Sequence, residues 1–135
     1  MQEKLLADCK EKLIQIAAFT EEVDALVFVG LPLEREGKLY NVAAVLKDGE
    51  VLGFVPKSVI FGYGEFSESR YFAPGNKEAV SLYFDGEAVP FGSNILFEAE
   101  GVEGLLVGCE IGEEMSVPIS PSTMHATAGA TVIVN

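Results

Sequence analysis

The chain has 135 residues, 49% of them hydrophobic, enough for one domain (residues 1–135) with a buried core. Its 21 acidic against 9 basic residues leave a formal charge of −12, and without a basic run this excludes nucleic acid and anionic membrane as partners, since both are held by clustered Lys and Arg. No apolar run approaches the roughly 20 residues of a membrane span and the N-terminus has no signal-peptide core, so the expectation is a soluble cytoplasmic protein. Cys9 and Cys109, far apart among apolar neighbours, have neither metal spacing nor disulfide density, which fits a reducing compartment.

In chain order, Leu5, Leu6, Cys9, Leu13, Ile16 and Ala17 recur at three- and four-residue steps and predict an amphipathic helix ending near Ala18. The continuous apolar run 25–30 predicts a strand buried on both faces. Runs 39–46 and 50–55, separated by Lys47-Asp48-Gly49, predict a β-hairpin, because Asp-Gly suits a tight turn. From 65 to 90 the pattern weakens into a long loop with room for a short helical turn and, at 80–84, a minor strand before Asp85-Gly86. Runs 95–99 and 105–111 predict a second strand pair. Residues 118–128 open on prolines that suit a first helical turn, and 131–134 read as a final buried strand.

The hairpin's second strand runs into Val55-Pro56-Lys57-Ser58, followed by Gly62-Tyr63-Gly64-Glu65. Pro56 stiffens the backbone before Lys57, and the glycines let the chain fold back so that Glu65 can approach the ammonium. Such a pair in a cleft can serve acid–base work. The spacing fits equally a solvated strand-end lysine and a loop acid. His125 stands without a second ligand at metal spacing and predicts a structural role. Glu98, Glu100, Glu103, Glu113 and Glu114 read mostly as a solvated acidic face, and Gly101, Gly104, Gly108 and Gly112 do not form a phosphate cradle.

Taken in order, Val29-Gly-Leu-Pro-Leu, Gly37-Lys-Leu-Tyr-Asn, Val55-Pro-Lys-Ser, Tyr63-Gly-Glu-Phe, Arg70-Tyr-Phe-Ala-Pro-Gly, Val89-Pro-Phe-Gly and Gly129-Ala-Thr-Val-Ile-Val-Asn resemble one family along the whole chain. It is the glutaminase domain of glutamine-dependent NAD⁺ synthetases, a branch of the nitrilase, or carbon–nitrogen hydrolase, superfamily. The resemblance implies an α/β fold: the central part of a nitrilase-type α-β-β-α sandwich, truncated at both ends. It also implies a Glu–Lys–Cys triad that hydrolyses glutamine and sends ammonia to a second domain, which amidates deamido-NAD⁺. Lys57 then matches the oxyanion-stabilising lysine and Glu65 the supporting glutamate, while Tyr63 and Phe66 fall where the family lines its glutamine pocket. The backbone amide of Glu113 would be an oxyanion donor.

Departures from the family pattern are as specific as the matches. Where the family has Glu-Ile-Cys-Glu-Asp, this chain has Glu110-Ile111-Gly112-Glu113-Glu114, so Gly112 occupies the position of the missing Cys nucleophile. Cys109, three residues earlier, points to the opposite face and sits roughly 10 Å back along a strand, which predicts a buried small side chain. Ser116 stands where the family has tryptophan, and the general-base glutamate lies upstream of this stretch. The expectation is a chain that is inactive alone, needing no cofactor of its own because ATP and Mg²⁺ belong to the synthetase domain. Its partners would be glutamine as family substrate, a synthetase domain, or other copies in a homo-oligomer. Two alternatives remain: a non-catalytic nitrilase-fold binding or assembly module, and a remnant of a free-standing amidase.

Overall fold

The computed structural model describes residues 3–63 and 67–135. Helix α1 (Glu3–Phe19) carries the expected apolar stripe, and buries Leu13 and Ala17 while its outer face stays charged. Strands β1 (Val27–Arg35), β2 (Lys38–Lys47), β3 (Glu50–Pro56), β4 (Val80–Phe84) and β5 (Glu87–Phe91) form one sheet in the order β1-β2-β3-β5-β4. Its neighbours are antiparallel except β3 and β5, which meet in parallel at Phe54 and Phe91. Three tight turns drive this arrangement. Glu36-Gly37, Asp48-Gly49 and Asp85-Gly86 each hold two successive residues at positive φ, the backbone whose twist matches that of paired strands.

The second sheet is smaller: β6 (Phe97–Glu98), β7 (Leu106–Cys109) and β8 (Val132–Val134), in that order, with α2 (Pro121–Thr127) crossing from β7 to its parallel neighbour β8. Ser120 caps α2 by accepting a hydrogen bond from the Thr123 amide, and Pro121 takes the first turn, where no amide donor is needed.

Alternation along β2 explains how the layers meet. Val42, Ala44 and Leu46, with Phe54 and Phe91, pack against Leu13 and Ala17 of α1, whereas Ala43 and Val45 pack with Cys109 and Phe97 of the second sheet and with Ile111 just beyond β7. The result is helix on sheet on sheet, with β2 buried on both sides. Edge-to-face rings pack within the large sheet, Tyr40 with Phe91 and Phe54 with Phe84, both at 5.1 Å, and Phe28 of β1 meets Phe97 of β6 across the two sheets at 6.4 Å.

Several expectations need correction. The strand predicted at 25–30 is β1, which is longer, half-buried, and at the edge of its sheet among the described residues; the two-sided burial belongs to β2. The long loop to Pro90 in fact contains β5, hidden by a proline that lowers the strand signal. The final strand β8 is largely exposed, with Val132 at 42% and Ile133 at 36%. Among the described residues no helix is long and apolar enough to cross a membrane.

Candidate functional site

The end of β3 is pinned before any side chain is considered. The Lys57 amide donates to the Asn41 carbonyl at 2.8 Å and the Lys57 carbonyl accepts from the Gly75 amide at 2.8 Å, so Pro56 and two neighbouring segments together fix the direction of the side chain. Lys57 is 2% exposed, which removes the reading of a solvated lysine. Its ammonium donates to Glu68 Oε1 and Oε2 at 3.0 and 2.8 Å and to Glu113 Oε2 at 3.1 Å, and lies 5.4 Å from the centre of the Phe61 ring.

Burial pushes the Lys57 ammonium toward losing its proton, but the hydrogen bonds and charges of Glu68 and Glu113 outweigh this and hold its pKa above the ordinary lysine value. The Glu113 carboxyl is held below its ordinary value by its own backbone amide first and by Lys57 second. Two carboxylates therefore share one cation.

Gly112 lies across from that cation. It opens the short turn Gly112–Ser116 just after β7, with φ +58°, in the left-handed region that a residue with a Cβ enters at about 1–2 kcal/mol. Among the described residues, a Cβ built at Gly112 would meet a single atom within 4 Å, the Lys57 Nζ at 3.9 Å. Asn135, at the end of β8, grips the same peptide: its Oδ1 accepts from the Gly112 amide at 2.9 Å and its Nδ2 donates to the Gly112 carbonyl at 3.0 Å. A groove of about 290 Å³ beside β1 and β2 is lined by Asn41, Cys109, Glu110, Gly112 and Asn135 among others.

Glu114 ties these parts together. It is 1% exposed, and its Oε1 accepts from the Ser58 amide (2.6 Å), the Ser58 hydroxyl (2.8 Å) and the Val59 amide (2.9 Å), while Oε2 accepts from the Ile111 amide at 2.8 Å. One carboxylate thus joins the segment after Lys57 to the segment before Gly112. Glu110 is buried too, and accepts from the Ser122 amide at 3.0 Å.

Of the six site residues expected from sequence, the structure brings Lys57, Gly112 and Glu113 together. Tyr63 is 69% exposed and packs edge-on against Phe61, one ring removed from the ammonium. Glu65 and Phe66 lie outside the described residues; the described carboxylate beside Lys57 from that side is Glu68. Glu68, Glu114 and Asn135 were not singled out, and Glu114 in particular is no part of a solvated acidic face. The one usable signal was its place three residues after Ile111 at the start of a turn, where a side-chain carboxylate can reach back to an amide. Cys109 is buried against Ala43, Val45 and Val55, and burial first, then the charges of Glu114 and Glu110, pushes its thiol up to about 12. His125 is buried, with Nε2 3.0 Å from the Cys109 carbonyl.

No family model matches the chain. The glutamine-dependent NAD(+) synthetase of Mycobacterium tuberculosis is 38% identical over 135 residues, covering all of this chain and 20% of that protein. The crystal structure of a glutamine-dependent NAD(+) synthetase from Cytophaga hutchinsonii superposes with a TM-score of 0.80 at 26% identity, over 98% of this chain and 20% of that one. A Saccharomyces cerevisiae protein of branch 10 of the nitrilase superfamily superposes with a TM-score of 0.59 at 16% identity, over 90% of this chain and 38% of that one, a likeness of fold. The chain spans about a fifth of the length of the curated relatives it matches.

Proposed function

Because this chain belongs to the glutamine-dependent NAD(+) synthetase family and has part of a nitrilase-type fold, we propose that it is a segment of the glutamine amidohydrolase domain that supplies ammonia for NAD⁺ synthesis from deamido-NAD⁺. In this reading Lys57 is the cation for a developing oxyanion and residue 112 the nucleophile position, with the Glu113 amide as a further donor. Glu65 supports Lys57, and Tyr63 and Phe66 line the glutamine pocket. The supporting observation is the 3.9 Å between the Lys57 ammonium and the place a Cβ would take at Gly112. A cation held so close to a reacting centre is worth about 3 kcal/mol of transition-state stabilisation.

The chemistry follows from what the residues carry. A glycine has no group to attack an amide carbon, so the chain as it stands hydrolyses no glutamine. Lys57 is saturated by Glu68 and Glu113, and an oxyanion would have to displace the more exposed of the two, Glu113, whose side chain is 52% exposed against 22% for Glu68. ATP and Mg²⁺ are assigned to the synthetase portion of the family, outside these 135 residues.

Cys109 offers the sharpest test, since it is the thiol nearest in sequence to the vacant position. An electrophilic diazoketone analogue of glutamine should leave the unmodified chain at its original mass. An adduct on Cys109 would mean that this thiol serves as the nucleophile, and would overturn the assignment of Gly112.

A second reading, a non-catalytic assembly module, is favoured by the exposed strand β8, whose outer edge is a template for pairing. It predicts self-association through that strand. Sedimentation should show a concentration-dependent dimer that Ile133→Lys weakens, and a monomer at all micromolar concentrations would remove this reading.

A further inference from the structure

The Asn135 side chain holds both polar groups of the Gly112 backbone. Its amide oxygen accepts the Gly112 N–H and its amide nitrogen donates to the Gly112 carbonyl, at 2.9 and 3.0 Å, while Nδ2 also reaches Glu110 Oε1 at 3.4 Å. A primary amide paired in this way fixes a peptide much as a neighbouring strand would, through two opposed hydrogen bonds in one plane. Residue 112 has left the ladder at this point: β7 ends at Cys109, and the last backbone bond to β8 runs from the Glu110 amide to the Val134 carbonyl at 3.0 Å. The Asn135 side chain continues the pairing where the main chain stops.

We propose that Asn135 is a positioning residue that sets residue 112 in its left-handed turn, so that any side chain there projects at the Lys57 ammonium. The elbow is built without the side chain it would aim. Three observations support this. The φ of +58° is maintained next to a clamp on both polar groups, and among the described residues the Cβ direction is open and the single atom it meets within 4 Å is the Lys57 Nζ. Glu114 anchors the same turn from its other end, by accepting from the Ile111 amide and from the Ser58 and Val59 amides beyond Lys57. The inference rests on the reading of residue 112 as the nucleophile position, but ammonia release plays no part in its test, so either can fail while the other stands.

The test installs a reporter thiol by Gly112→Cys in the full chain and follows its alkylation by iodoacetamide against pH, with tandem mass spectrometry separating it from Cys9 and from the buried Cys109. Charges around the thiol include Glu68, Glu113, Glu110 and Glu114 as well as Lys57, so the informative quantity is the change on removing Lys57 alone. With Asn135 present, adding Lys57→Gln should raise the alkylation midpoint by about one pH unit, as for an opposite charge lost from within 4–6 Å. With Asn135→Ala also present, the same Lys57→Gln step should shift the midpoint by about a third of that or less, the signature of a coupling carried by Asn135. In the chain with Gly112 intact, Asn135→Ala should speed hydrogen exchange of the Gly112 amide about fivefold or more, the loss of one hydrogen bond.

No shift on Lys57→Gln would overturn the proximity of residue 112 and the ammonium. An equal shift with and without Asn135, or unchanged exchange at Gly112, would overturn the positioning role. If Gly112→Cys abolishes cooperative melting, the elbow does not accept a side chain; if Asn135→Ala does so, Asn135 anchors the fold at large, and in either case the proposal fails.

Discussion

Glu114 shows how much one residue can decide. Its carboxylate serves three backbone amides and one hydroxyl from a position sealed off from water, and hydrogen bonds to a charged acceptor are worth about 1.5–3 kcal/mol each before the cost of orphaned donors. Glu114→Ala should lower stability by about 3 kcal/mol, with Glu114→Gln intermediate, as read from urea midpoints; a loss under about 1 kcal/mol would show that water replaces the carboxylate. Cys109 gives a prediction in pH. The unfolded chain sheds this thiol proton near its ordinary value of 9.0 while the folded chain keeps it to about 12, so between those values the unfolded state binds fewer protons and stability falls as pH rises. Glu113, lowered below 4.5, acts far below this window and loses its contribution as pH falls through the folded value; Lys57, raised above 10.5, acts in the window's upper part and loses its contribution as pH rises through the folded value, so the range below 10 isolates the thiol. From pH 8 to 10 the urea midpoint of the unaltered chain should therefore fall more steeply than that of Cys109→Ala, and equal slopes would contradict the burial argument. At this scale local motif drew attention to Lys57 and Gly112, which the fold brings close together. It could not mark Glu114 or Asn135, whose roles depend on partners that only the packed sheets bring near.

Elements were legible in proportion to how local their cause is. The helical stripe of α1 and the Asp48-Gly49 hairpin follow from side-chain period and turn chemistry, whereas the two-sided burial of β2 and the edge place of β1 depend on which strands later flank them. The seating of α2 on β7 is an interelement property of this kind. A Cβ on Gly108 would lie 2.7–2.9 Å from Cγ, Cβ and Cδ2 of His125, and the His125 ring is held by its 3.0 Å contact with the Cys109 carbonyl. Gly108→Ala should thus cost about 2 kcal/mol by forcing α2 away from the sheet. Gly30→Ala, where nothing lies within 4 Å of the new methyl group, should change stability by under about 1 kcal/mol. Thermal unfolding of the pair decides it: equal effects would mean that the β7–α2 contact is looser than described. Gly108 is for this reason best understood by the contact it allows, which no spacing pattern in the chain displays.

For the whole molecule, two sheets and two helices hold a buried lysine against a turn that opens on a glycine. The layers put the ammonium, the clamp of Asn135 and the lock of Glu114 at one end of the sandwich. The fold class could be recognised from ordered motifs spread along the chain, because those motifs fall on strand ends and turns that the sandwich needs. The pairing of Lys57 with Glu68 could not, since it joins the residue after a strand to a short turn with no periodic pattern to align them. The most direct measurement is ammonia release from amide-¹⁵N glutamine by the full chain, and by its Gly112→Cys variant, at neutral pH. Neither should exceed buffer, the first because in the proposed reading residue 112 carries no attacking group, and the second because the described carboxylates nearest that thiol, Glu68 and Glu113, are already held on the Lys57 ammonium and are poor bases for its proton. Turnover by the unaltered chain would contradict the account.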